Sequence, residues 1–387
     1  MLRRAKLLFH QLLGFAILLG LTGHQAIANE AERWGVNMTR GVTPVSQEIY
    51  GLHMLIFIIC VAISVVVFAA LAYTMYAHRK SKHPQASQFH EHLGLEIFWT
   101  AVPFLILVAM AIPATRSLIH LYDTDTDVDM DVVITGYQWK WQYEYLGRNV
   151  SFFSNLHEDS NAARQLGSGI DPRTVPNYLL EVDRPLVLPI NKKIRFLVTA
   201  NDVIHSWWVP DLGVKRDAIP GFVRESWAKI EEPGVYRGVC AELCGRDHGF
   251  MPFVVKAVEE EEFDQWIAEQ QAFAAEMREL AGQTFSFEDL YSQGQSVYNR
   301  SCASCHGPNG EGVPGAFPAI RGSAVATGTI EEHLDVVVNG VPGTAMQAFG
   351  AQLTPVETAA VVTFQRNAFG NDMGDQVQPV DVLQFEQ

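Results

Sequence analysis

The chain has 387 residues, 48% of them hydrophobic and 18% charged, with 30 glycines and 18 prolines; that length holds two or three domains, and the composition excludes a disordered or collagen-like chain. The net charge of −15 is unevenly placed, with 9 Lys/Arg and 5 Asp/Glu in residues 1–121 against 19 and 38 in residues 122–387. So acidic a second part lacks the cations that phosphate contacts require, which excludes nucleic-acid binding and favours basic partners.

Residues 1–28 combine a basic start (Arg3, Arg4, Lys6), an apolar middle and the ending Ala26-Ile27-Ala28, the pattern of a cleaved secretory signal peptide. Residues 29–121 read as a transmembrane hairpin with spans at about 54–77 and 96–117. Met54 to Ala77 carries no charge, and neither does Phe98 to Thr115, which Glu96 and Arg116 flank; both runs are long enough to cross a bilayer core. Arg79, Lys80 and Lys82 place the connecting loop in the cytoplasm, and aspartates at 123, 125, 127, 129 and 131 follow the second span. By the positive-inside rule, everything after residue 121 therefore faces outward. Pro103 and Pro113 inside the second span point to packing against a larger membrane partner. Glu96 reads either as a carboxylate reaching the interface or as a proton-pathway group.

Residues 122–258 show short β-branched and aromatic runs at Val132–Tyr145, Tyr178–Ile190, Lys193–Ala200, Val203–Val209 and Phe253–Val258. Turn-forming stretches separate them, without helical periodicity, so a β-sandwich or barrel is expected. Residues 147–177 read as an inserted polar loop. Four of the five cysteines form two close pairs beside histidines, and Cys60 stands alone in an apolar run. That is a pattern for metal or haem attachment rather than a disulfide framework. Cys240, Cys244, His248 and Met251 fall within twelve residues, with His205 upstream. His205, Cys240, Cys244 and His248 would satisfy one zinc. A thioether and two thiolates shared by two ions suit copper better, because zinc has no use for Met251.

Residues 259–287 predict a helix and linker, with acids at the start and Gly282 past the end. Residues 288–387 carry Cys302-Ala-Ser-Cys305-His306, the spacing for two thioether links to a haem and an adjacent proximal imidazole; a redox dithiol is the alternative. Gly294, Tyr298 and Cys302 share one helical face, and Thr354-Pro355-Val356-Glu357 predicts a capping box opening a second helix. Met346 is the expected sixth ligand, with Met373 and His333 as rivals. This stretch holds 3 Lys/Arg against 11 Asp/Glu, which suits a basic donor.

The run Cys240-x-Glu242-x-Cys244-x3-His248-x2-Met251, the upstream Val203-Ile-His205-Ser-Trp-Trp208, the helical hairpin and Gly136-Tyr-Gln-Trp139-Lys-Trp141 together resemble cytochrome c oxidase subunit II over residues 40–258. The Gly/aromatic helix pair and Met346-Gln347-Ala-Phe349 resemble a class I cytochrome c, with Gln347 in place of a usual proline. The resemblance implies a multidomain chain: a two-helix hairpin, an all-β cupredoxin-like Greek-key sandwich, and a small all-α cytochrome c domain. It implies that Cys240 and Cys244 bridge the binuclear copper A centre, with His205 and His248 as terminal ligands and Met251 as a weak axial one. Glu242 is implied to give copper its backbone carbonyl, and its carboxylate to a magnesium shared with subunit I. Haem c is implied on Cys302, Cys305, His306 and Met346, Trp139 is the implied point of electron input, and Glu96 marks the mouth of a proton pathway into subunit I. Lys140 departs from the tyrosine that commonly lies between the two tryptophans.

The expected function is that of the electron-accepting subunit of a respiratory haem–copper oxidase in a bacterial inner membrane, with periplasmic C-terminal domains. Its expected partners are membrane lipid, subunit I, subunit III, and a donor such as a soluble cytochrome c or a quinol–cytochrome c reductase. The alternative is a membrane-anchored copper- and haem-binding protein for metal delivery or storage.

Overall fold

The computed structural model describes residues 35–85, 90–165, 167–350 and 352–385; the signal peptide expected at 1–28 lies outside them. Among the described residues two long helices come first, α1 (Pro44–Ala77) and α2 (Leu93–Leu121). They outrun the apolar spans because polar caps extend them beyond the uncharged segments. Thr43 and Ser46 form a capping box at the start of α1, with Pro44 at the first helical position. The Thr43 hydroxyl also donates to the Leu212 carbonyl at 2.9 Å. At the other outer end, Trp227 Nε1 donates to the His120 carbonyl of α2 at 3.2 Å. Between these anchors the helices expose Phe57, Ile58, Phe68, Phe104 and Leu107, as lipid-facing spans do.

Ten strands build the middle region: β1 (Met130–Tyr137), β2 (Lys140–Tyr145), β3 (Val150–Ser154), β4 (Leu186–Pro189), β5 (Lys193–Ala200), β6 (His205–Val209), β7 (Val214–Ala218), β8 (Arg224–Lys229), β9 (Gly234–Cys240) and β10 (Pro252–Val258). They form two five-stranded sheets in the orders β3-β2-β1-β5-β8 and β4-β10-β9-β6-β7. Alternation decides what faces inward. Along β2, Trp141, Tyr143 and Tyr145 are fully buried in the sandwich, which leaves Lys140, Gln142 and Glu144 on the outer face. Trp207 of β6 stacks on Phe253 of β10 across the intervening β9, with centroids 4.8 Å apart.

Several strands differ from the sequence reading. The Val132–Tyr145 run folds back on itself as β1 and β2, paired through Tyr137 and Lys140. Only Leu186–Pro189 of the 178–190 run is extended, and the polar stretch 147–177 contains β3 and a short helix α3 (Glu158–Ala163). Strands β7 and β8 escape sequence reading because Lys215, Arg216, Asp217, Arg224 and Glu225 dilute their hydrophobic alternation. Strand β9 hides behind Gly238, where a Cβ would lie 2.2 Å from the Phe253 ring.

Helix α4 (Glu260–Leu280) then lays Phe263 and Ile267 on the sandwich. The C-terminal region is all helical: α5 (Phe287–Ser301), α6 (Ala303–His306), α7 (Ile330–Asn339), α8 (Pro355–Asn367) and α9 (Pro379–Phe385). Thr354 forms the expected capping box at α8. Helices α5 and α8 cross at Gly294, where a Cβ would sit 2.0 Å from the Ala360 carbonyl oxygen. Tyr298, Phe364 and Phe369 interlock beside the crossing, with centroids 5.0–5.5 Å apart. The same crossing sets Cys302 at the end of α5.

Candidate metal centre and the neighbouring cavity

Two strand ends and one loop assemble the sulfur and imidazole donors. His205 opens β6, Cys240 closes β9, and the connection to β10 carries Cys244, His248 and Met251. The Cys240 and Cys244 sulfurs are 3.8 Å apart. His205 Nδ1 lies 4.0 Å from the first sulfur, and His248 Nδ1 lies 3.5 Å from the second. Met251 Sδ is 3.4 Å from Cys244 Sγ, and the Glu242 carbonyl oxygen is 3.4 Å from Cys240 Sγ. Cys240, Cys244, His205 and Met251 are buried, whereas the Glu242 side chain is exposed.

Electrostatics favour a thiolate here. The S–H of Cys244 donates to Cys240 and, with His205 and backbone N–H groups, overcomes burial to hold the Cys240 thiol down at about 4. Cys244 is pushed above its ordinary value by sharing that proton. Burial pulls the His205 imidazole down, but the Asp202 carboxylate and Cys240 outweigh it, so the group is raised. Asp202 Oδ1 is 2.8 Å from His205 Nε2, which aims Nδ1 at the sulfurs.

The loop is braced from behind. Gln138 Nε2 and Trp139 Nε1 both donate to the Cys244 carbonyl, at 2.8 and 3.2 Å. Gly245 adopts φ +114° and leaves room for them; a Cβ would lie 2.9 Å from Gln138 Nε2. Gly136 does the same for His205, whose ring a Cβ would meet at 2.9 Å. Trp141 is fully buried, edge-on to His205.

A cavity of about 430 Å³ lies beside this loop. The helical region contributes Cys302, Cys305, His306 and Met346 to its lining, and the sandwich contributes Trp139 and Lys140. His306 Nδ1 is 2.8 Å from the Pro318 carbonyl, which leaves Nε2 for a metal. Tyr298 supports the turn by donating to the Gly307 carbonyl at 2.6 Å. His333 also lines the cavity, but its Nε2 is engaged with Gln365 Oε1 at 2.8 Å. Met373 is not among the lining residues. Glu96 belongs to neither cluster: it sits in the first turn of α2, where its carboxylate accepts from the His92 N–H at 3.4 Å.

Sequence reading missed Asp202 and Gln138. Their only signal is proximity in the chain, Asp202 three residues before His205 and Gln138 beside Trp139.

The donor chemistry fits the implied groups. Two thiols, two imidazoles, a thioether and a carbonyl exceed what a four-coordinate zinc takes, and suit two copper ions sharing both sulfurs. Paired thiols, a free imidazole nitrogen and a thioether around one cavity suit a covalent haem.

A two-helix membrane hairpin bearing a β-sandwich with such a ligand set defines a membrane-anchored cupredoxin whose donors suit a metal pair. Residues 130–258 match the family model for the periplasmic domain of cytochrome c oxidase subunit II, residues 31–116 match its transmembrane domain, and residues 289–364 match cytochrome c oxidase, cbb3-type, subunit III. A probable cytochrome c oxidase subunit 2 of Rickettsia prowazekii is 37% identical over 64% of this chain and 76% of its own length. One from Rickettsia bellii is 36% identical over 64% and 88%. A crystal structure of the periplasmic domain of subunit II of cytochrome oxidase from Bradyrhizobium japonicum aligns with 38% of this chain and 95% of its own, at 40% identity and a TM-score of 0.32. The chain belongs to the cytochrome c oxidase subunit II family. It is accordingly a two-pass membrane component of a terminal oxidase, with a periplasmic copper A domain and a cytochrome c domain, and it works with subunit I.

Proposed function

We propose that this chain is the electron-accepting subunit of a respiratory haem–copper oxidase, taking electrons at its C-terminal domain and handing them through its own sandwich to subunit I. The observation that carries this reading is Trp139, which lines the cavity shared with Cys302, Cys305, His306 and Met346 while its indole nitrogen bonds the Cys244 carbonyl. When bound, haem c and the copper pair supply two one-electron carriers between the outside donor and the oxygen-reducing subunit.

The residues divide the work. Cys302 and Cys305 would anchor the porphyrin, and His306 and Met346 would supply its iron ligands. Cys240 and Cys244 would hold the copper pair through their thiolates, with His205, His248, the Met251 thioether and the Glu242 carbonyl as the further ligands. Trp139 offers the short route between the two sites. Leu243 in the metal loop and Ile204 beside His205 are exposed apolar residues, which suits burial against subunit I. The exposed Glu242 carboxylate would share a magnesium with subunit I. Subunit III completes the complex, and the acidic helical domain selects a basic donor, such as a soluble cytochrome c or the cytochrome of a quinol-oxidising complex. Burial of His205, Cys240 and Cys244 disfavours the metal-delivery alternative, which needs ligands a recipient can reach.

Tethering raises the effective concentration of one site at the other to the order of millimolar. The haem-to-copper transfer rate, followed by flash photoreduction of the purified protein, is therefore expected to be independent of protein concentration. A rate rising linearly with concentration would overturn the reading.

Glu96 lies on the basic-loop side of the membrane, in the first turn of α2, and we assign it to the mouth of a proton pathway. Glu96→Ala should slow oxygen consumption of the assembled oxidase while haem-to-copper transfer keeps its rate. Unchanged turnover would remove Glu96 from the site.

A further inference from the structure

The Lys140 end of the outer face of β2 is covered, and the helical domain provides the cover. Lys140 occupies an outward position of β2 with Gln142 and Glu144, yet it is only 7% exposed. Its ammonium lies 5.0 Å from the ring centre of Phe153 on β3, and 4.8 Å from that of Phe349 in the helical domain. Burial pushes it down to about 8. The negative faces of the two rings attract a cation held between them, and the two rings belong to different domains.

A more directional contact lies two residues before Phe349. The Gln347 side-chain amide donates to the Gln138 carbonyl at 3.1 Å and to Asp202 Oδ2 at 2.9 Å. Asp202 Oδ2 also accepts from the Gln138 N–H at 2.7 Å, while its Oδ1 takes the Val203 N–H at 2.7 Å and faces His205 Nε2 at 2.8 Å. One carboxylate thus joins the neighbour of Met346 to an imidazole of the metal cluster. Gln138 in turn donates its own side chain to the Cys244 carbonyl. Every link is a hydrogen bond of ordinary length, and those to the carboxylate are charge-assisted.

We propose that Gln347 is a positioning residue for transfer between the two centres: its amide latches the Met346 loop to Asp202 and Gln138, with Lys140 and Phe349 as a second point of contact. The latch rests on the intramolecular-transfer reading above. A tether alone leaves the domain sampling many orientations, because linking raises encounter frequency without fixing geometry. A charge-assisted bond adds the geometry, holding the Trp139 side of the cavity against the metal loop.

The test uses the full chain with both cofactors, photoreducing the haem and following its reoxidation. Gln347→Leu keeps the bulk and removes both donors, so the first-order rate should fall at least about tenfold, the factor that losing the charge-assisted bond alone corresponds to. Gln347→Glu should be slower still, since a carboxylate then faces Asp202. In both variants the rate should stay concentration-independent but become sensitive to added viscogen, as expected when redocking limits transfer. Haem and copper absorption should persist. Lys140→Glu, which reverses the charge between the two rings, should act in the same direction.

Wild-type rates in Gln347→Leu and Gln347→Glu would overturn the latch and leave the intramolecular reading standing. Loss of haem absorbance in Gln347→Leu would assign the residue to haem retention and overturn the latch as well. A second-order rate in the wild type would defeat the underlying reading itself.

Discussion

Cys244→Ser is expected to abolish the two-metal centre and to lower electron delivery to subunit I by more than about 100-fold, beyond the 10–100-fold that loss of an outer-shell partner costs. Cys244 is the hub of the cluster, with its sulfur 3.8 Å from Cys240, 3.5 Å from His248 Nδ1 and 3.4 Å from Met251 Sδ. Serine matches it in shape but offers a hydroxyl that stays protonated, where copper selects a soft thiolate. The side-chain bonds from Gln138 and Trp139 go to the backbone carbonyl of Cys244 and survive the change, so the loop should keep its place. Paramagnetic resonance and metal analysis check the outcome: the mixed-valence signal disappears and the copper content falls below two per chain. The haem spectrum stays intact, because its ligands lie in the helical domain. A retained mixed-valence signal would contradict the shared-thiolate assignment.

Gly294→Ala is expected to destabilise the helical domain alone. The added Cβ would lie 2.0 Å from the Ala360 carbonyl oxygen and 2.6 Å from Phe364 Cβ. The first of these is backbone, so no rotamer change relieves it, and the two helices must separate. Overpacking costs about 1–3 kcal/mol, and this site belongs at the upper end. Better helix propensity returns at most about 1 kcal/mol. A net loss of about 2 kcal/mol lowers the melting temperature of a domain this size by about 10 °C. Scanning calorimetry with haem and copper absorption followed in parallel checks it: the haem transition moves down and the copper transition stays. An unmoved haem transition would mean that the crossing opens without cost.

Most of the site was legible from side-chain chemistry. The cysteine, histidine and methionine spacings name the candidate ligands that the fold brings together, and Gly294, Tyr298 and the Thr354 box mark the helix pair without reference to any strand. Charged strands such as β7 and β8 were not legible, because their charged residues break the hydrophobic alternation and look like loop. The interface between the domains was equally hidden. Lys140 and Gln347 each stand out in the sequence as departures from familiar patterns, 207 positions apart, with nothing to connect them. Only the fold shows that both lie where one domain covers the other, and that Asp202 stands between one of them and the metal cluster.

The anchoring of α1 carries a mechanical implication. Thr43 caps the helix and grips the Leu212 carbonyl with the same hydroxyl, and Trp227 ties down the last turn of α2. Neither span can lean within the lipid without swinging the sandwich along with it. Bilayer thickness thereby becomes a lever on how high, and at what angle, the copper loop stands above the membrane surface.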